Sequence, residues 1–259
     1  MTETALDTAH AAMEAAGDDA ARLRFFERMA DAELLLLLRE EPQGEDITPQ
    51  IFETGEGTFA LVFDREDRLS EFVGAEAAHA ALAGRTLIAM LSGQGIGLGL
   101  NLGVAPSSIL IPAEAVDWLA GTLAEAPREI EARPTEFAAP GALPQALIEA
   151  LDAKLPSAMG LARFAYLASA TYEDGARGHI LAFIDAAPGA EPALARAAGE
   201  ALIFSGLEAG EMDVAFFAAS DPLSAKLARV ALRFDLPQPP ELVKPQAPGS
   251  DPERPPRLK

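Results

Sequence analysis

GIGLGLNLG, residues 95–103, decides how the first half of the chain is read. Its glycines suggest either a phosphate-binding loop or a strand with one bare face. A dinucleotide fingerprint needs Gly-x-Gly-x-x-Gly. Started at Gly93, Gly95 or Gly97, the last glycine of that pattern falls on Leu98, Leu100 or Leu102. A P-loop needs Gly-Lys-Ser/Thr, and the lysines stand elsewhere, at 154, 226, 244 and 259. What remains is period two. Gly95, Gly97 and Gly99 fall on one face, and Ile96, Leu98 and Leu100 on the other. That is a strand whose bare face admits another backbone, a helix or a ligand. Asn101 and Gly103 then suit a turn with positive φ.

The neighbouring segments extend this reading. ELLLLLRE (33–40) is too short and too uniformly apolar for a surface helix and reads as a central strand. GTFALVFD (57–64) is a second strand, and SSILI (107–111) a short third. Two helices open the chain, at 3–15 and from Asp18 as a cap to about Ala30, the latter with Leu23, Phe26 and Ala30 on one stripe. Residues 75–83 read as helical, and TLIAML (86–91) as a strand or short helix. Pro112 suits the first turn of a helix to about Leu123. On that helix Val116, Leu119, Ala120 and Leu123 form the core stripe, and Trp118 points away from it. Trp118 is therefore expected at an interface between the domains or with a partner, or else under the linker at 126–140.

The second half reads as a helix (143–154), a long strand (161–172), an Asp-Gly turn, and an antiparallel return in HILAFID (179–185). A helix (190–204), a strand (212–220), a short helix from Asp221-Pro222 and a last strand (229–236) follow. Hairpins mixed with helices make the fold class α+β: two domains, each a mixed or largely antiparallel sheet with packed helices. Proline punctuation places the domains at 1–126 and 140–235, with a linker at 127–139. The segment 236–259 has eight prolines in 24 residues and reads as a disordered Pro-rich tail. It contains a Pro-x-x-Pro-x-Arg pattern from Pro252 to Arg257.

Composition narrows the function classes. The 259 residues are 49% hydrophobic, ample for a buried core, and carry a net charge of −20. Such a field repels nucleic acid and anionic lipid, whose affinity for proteins comes largely from Lys and Arg on phosphate. Neither is expected as a partner. The absence of cysteine excludes disulfides and Cys-ligated zinc and fits a reducing, cytoplasmic location. The first 19 residues lack the basic and apolar regions of a signal peptide. Only Glu76 and His79 have the i, i+3 spacing of a di-iron ligand pair, and such sites need two such pairs. No Gly-x-Ser-x-Gly elbow or calcium loop is present. No catalytic, metal or cofactor residue is therefore assigned. The candidate interaction residues are Trp118, Gly97, Gly99 and Asn101.

The run from GIGLGLNLG through SSILIPAEAVDWLAG (107–121) resembles the N-terminal domain of the SseB family, as does FALVFDREDRLSEF (59–72). In that family a strand ends in an Asn-Pro-Gly turn and a Trp-bearing helix follows. This chain has Leu102 in the proline position. Residues 143–235 resemble the family's C-terminal domain in element order and in the AYLA…ILAFID hairpin. The resemblance implies a soluble bacterial protein, linked by the family's names to serine sensitivity and loosely to type III secretion. It implies no catalytic residues. The expectation is a non-catalytic cytoplasmic protein acting on an unknown protein partner. The alternatives are a small-metabolite (amino-acid) sensor, with its site at the Gly95–Gly99 face or between the domains, and a hydrolase or transferase.

Overall fold

The computed structural model describes residues 3–42, 46–55, 57–124, 134–141, 143–173, 175–205 and 212–238. The first domain begins with helices α1 (Ala5–Ala16) and α2 (Asp19–Asp31). Each has a side-chain cap. Asp18 accepts from the Ala21 amide, and Thr4 and Asp7 form a reciprocal capping box. The strands are β1 (Glu33–Leu37), β2 (Ile51–Thr54), β3 (Gly57–Phe63), β4 (His79–Ala83), β5 (Ile96–Leu100) and β6 (Ile109–Ile111). Helices α3 (Glu66–Val73), α4 (Gly84–Leu91) and α5 (Ala113–Ala124) connect or follow them.

The sheet order is β4-β1-β3-β5-β6, with β2 also paired to β3. β3 and β5 run parallel, and the other pairs are antiparallel. The leucine run of β1 is explained by burial on both faces. Leu34 and Leu36 face Phe25, Met29, Leu87, Ile88, Val116 and Leu119 from the helices. Leu35 and Leu37 face the other way, with Leu61, Phe63, Leu69 of α3 and Val104.

Residues 79–83, expected to be helical, are strand β4. The local sequence is alanine-rich and favours a helix. Pairing with all five residues of β1, from Glu33↔Ala83 to Leu37↔His79, outweighs that weak preference. On α2 the inward stripe is Ala21, Phe25 and Met29, while Leu23 and Phe26 flank it half-buried.

The second domain contains β7 (Pro134–Ala138), α6 (Gln145–Lys154), β8 (Phe164–Tyr172), β9 (Arg177–Ile184), α7 (Glu191–Phe204), β10 (Met212–Phe217), α8 (Pro222–Val230) and β11 (Leu232–Asp235). β8 and β9 form the expected antiparallel hairpin, and β10 joins β9 in parallel after the α7 crossover. β7 and β11 share the outer edge of β8. Helices α6 and α7 cover one face of this sheet, and Leu227 of α8 packs on the other. Both domains are α+β with mixed sheets.

Two boundaries differ from the sequence reading. Residues 134–138 were expected in the linker, yet they pair with β8 from Pro134↔Tyr172 to Ala138↔Ser169. Pro134 is tolerated because it is the first residue of an edge strand. The tail was expected from residue 236, yet Leu236 is buried, the Pro237 carbonyl accepts from the Gly160 amide, and Gln238 donates to the Ala162 carbonyl. The rest of the tail, including the Pro-x-x-Pro-x-Arg pattern, lies outside the described residues, as does linker residue 127 through 133.

Candidate functional site

The glycine strand ends in a buried polar cluster. Gly97 has no room for a side chain: a Cβ there would stand 2.3 Å from the Ile111 carbonyl oxygen and 2.8 Å from the Phe59 ring. At Gly99 a Cβ would meet the Leu102 side chain at 2.9 Å and that of Leu61 at 3.1 Å. At Gly97 and Gly99 the bare face of β5 is thus filled by its own domain, whereas a Cβ at Gly95 would meet nothing within 4 Å. Asn101 follows at φ 48° and Gly103 at φ 69°.

Asn101 is fully buried and does specific work in that left-handed turn. Its Oδ1 accepts from the Asp64 amide at 3.2 Å, and its Nδ2 donates to Ser107 Oγ at 2.9 Å. Ser107 Oγ donates to Asp7 Oδ1 at 2.6 Å, and the Ser107 amide donates to the same oxygen at 3.2 Å. Arg68 of α3, 2% exposed, donates to both Asp7 and Asp64. Thr4 Oγ1 donates to Asp64 Oδ2 at 2.7 Å. The chain start, α3 and the turn after β5 are thereby tied together. Burial alone would raise the Asp7 carboxyl. Hydrogen bonds from Arg68, Ser107 and Thr4 outweigh it and hold the group well below the ordinary carboxylate range.

A second cluster lies between the domains. Lys154 of α6, 3% exposed at its side chain, places Nζ 2.6 Å from Glu200 Oε2 of α7 and 2.7 Å from Asp31 Oδ2 of α2. Arg85 of α4 bonds Asp31 and Glu200 as well. Glu27 of α2 stands 3.9 Å from Lys154 Nζ, and its Oε1 is buried without a hydrogen-bond partner among the described residues. Beside these charges Phe204, at the end of α7, is fully buried in the first domain's core. The space between the domains is therefore filled by protein at this seam.

Trp118 lies on α5 and packs against α2. Its ring centroid lies 6.3 Å from that of Phe26 in its own domain, and 45% of the residue is exposed. Asp117 locks the end of α4 to α5 by accepting from Ser92 Oγ and the Gly93 amide. That holds two helices carrying large exposed apolar groups, Trp118 on α5 and Met90 on α4.

Of the four sequence candidates, Gly97, Gly99 and Asn101 lie on one strand and its turn, and Trp118 lies on a separate surface. Sequence reading missed Asp7, Arg68 and Ser107, and also Glu27, Lys154, Glu200 and Phe204. Asp7 was visible as the third helical residue of a capping box. The others gave no signal, because their partners are distant in the chain. His79, expected on a helix, lies on β4, where its Nδ1 is 3.0 Å from the Ala77 carbonyl oxygen. No cluster of three His, Asp or Glu suited to a metal occurs among the described residues. None of the helices among them is long and apolar enough to cross a membrane.

An open groove of about 810 Å³ lies over the second sheet, on the face that α6 and α7 cover further along. Glu136, Thr171 and Arg177 form one row across β7, β8 and β9, and His179 pairs with Ser169 in the next.

Residues 6–118 match the family model of the SseB protein N-terminal domain. The first domain is an SseB N-terminal domain. The match begins in α1, ends in α5 at Trp118, and contains the whole Asp7–Arg68–Ser107–Asn101 cluster. The SseB match thus covers the first domain. No curated protein and no solved structure matches the chain.

Proposed function

We propose that this SseB-family protein acts without catalysis, by binding another protein through the surface around Trp118. The observation that carries the reading is Trp118 itself: a large apolar side chain, 45% exposed, on a helix fixed by Asp117 and backed by Phe26. Tryptophan is enriched where proteins meet. The ionisable groups with the largest shifts in the two clusters support it from the other side. Asp7 and Glu27 face internal partners rather than a cavity, which is the arrangement of structural ion-pair networks. The resemblance of residues 143–235 to the SseB C-terminal domain, a cytoplasmic location and the link to serine sensitivity or secretion belong to this same reading.

The test compares the wild-type chain with Trp118→Glu in capture from its native host, with circular dichroism to confirm the fold. A partner retained by the wild type and lost by the variant supports the reading. Identical capture by both overturns it.

The groove over β7–β9 favours a second reading, a small-metabolite site. Neither Glu136 nor Arg177 has a salt-bridge partner among the described residues, so a zwitterion could meet both. A thermal-shift screen with Arg177→Ala as control tests it; no ligand that stabilises the wild type alone would remove it.

A further inference from the structure

At the seam between the domains the charges do not balance. Glu27, Asp31 and Glu200 face Arg85 and Lys154, with Arg28 at the exposed side of α2. Lys154 and Arg85 each bond Asp31 and Glu200, so two cations are matched by two anions. Glu27 is the third acid, furthest from Lys154, with one oxygen buried and unbonded among the described residues. A buried carboxylate whose nearest cation is shared with two other acids and 3.9 Å away is costly, and a neutral carboxyl much less so. Glu27 also sits at the junction of α2 with α6 and α7, where the domains touch.

We infer that this seam is a proton-operated latch: with a proton on Glu27 the cluster is neutral and the domains lock, and loss of that proton loosens α2 from α6 and α7. Every packed element contributes to the sign. Burial pushes the Glu27 carboxyl up to about 7; Lys154 and Arg28 oppose the shift, and Asp31 and Glu200 add to it. Arg85 acts through Asp31 and Glu200. The closed seam holds the Glu27 proton more tightly than the open one. Its contribution to closure is complete below the ordinary carboxylate value and fades as pH rises through about 7. The latch therefore responds to pH changes around neutrality.

Hydrogen–deuterium exchange on the full chain at pH 6 and pH 8, corrected for intrinsic rates, tests this. Peptides from α2 and α7 should exchange about tenfold faster, relative to β3 and β8, at the higher pH. In Glu27→Gln they should stay as protected as the wild type at pH 6, with no pH dependence. A flat wild type, or an equal response in Glu27→Gln, overturns the latch. Carboxyl carbon NMR of glutamate-labelled wild type gives a check independent of the variant's folding. One glutamate titrating near neutrality supports the proposal, and titration of all of them in the ordinary range rejects it.

Discussion

Lys154 Nζ lies 2.7 Å from Asp31 Oδ2, bonding the last helical residue of α6 to the last helical residue of α2 across the two domains. The same ammonium reaches Glu200 at 2.6 Å. Removing it leaves Glu200 buried with only Arg85 to meet it. Breaking a buried pair from one side costs about 3–5 kcal/mol. Lys154→Ala should lower the urea midpoint accordingly, and a change below ~1 kcal/mol would show that the pair is solvated in solution.

Phe204 should be the main apolar tie between the domains. It belongs to α7, yet it packs fully buried in the first domain's core. Phe204→Ala removes a whole ring from that site and should cost about 3–5 kcal/mol. Calorimetry is expected to show one transition for the wild type and two for the variant, one for each domain.

Gly97 and Gly99 should differ in tolerance although they share one face. A Cβ at Gly97 meets the Ile111 carbonyl, which belongs to the paired strand β6 and cannot retreat. Gly97→Ala should cost about 1–3 kcal/mol through overpacking. At Gly99 the nearest atom is the end of the Leu102 side chain, which can rotate. Gly99→Ala should cost less than ~1 kcal/mol. Equal midpoints for the two variants in guanidinium melts would contradict this difference.

Asp7 sets an acid-side dependence of stability. Its folded value lies below its unfolded value, so its contribution is present above the ordinary carboxylate range and lost as pH falls through the folded value. The wild type should lose stability below about pH 4, and Asp7→Asn should be less stable at pH 7 yet flatter with pH in that range. Thermal melts from pH 2.5 to 7 check both. An unchanged slope in the variant would assign the acid sensitivity to other carboxylates.

Much of the fold was legible in the residues because its signals are local. The alternation in Ile96–Leu100, the caps Asp18 and Asp221, and the apolar run of Glu33–Leu37 each fix an element from within a few residues. The positive φ expected at Asn101 and Gly103 has the same origin, since both residues adopt that conformation at little cost. Where tertiary pairing opposed local preference, local reading failed. His79–Ala83 forms a strand only because β1 offers it an edge, and Pro134–Ala138 forms one only because β8 does.

The charge clusters were decided by tertiary structure alone. Lys154 is 123 residues from Asp31, and Asp7 is 61 from Arg68 and 100 from Ser107. Apart from the Thr4–Asp7 capping box, nothing near these residues marks them as buried or paired, because a single charged side chain on a helix reads as solvated until the partner is placed. Trp118 stands between the two cases. Its position off the core stripe follows from the helical period of α5, which sequence alone supplies. What lies against it, Phe26 on one side and open surface on the other, depends on how α2 packs beside α5. Sequence by itself determined most of the elements, though not β4 or β7, since hydrogen bonding and burial patterns within a segment are short-range. Only the folded chain determined which charges meet, because that depends on contacts between segments that no local pattern encodes.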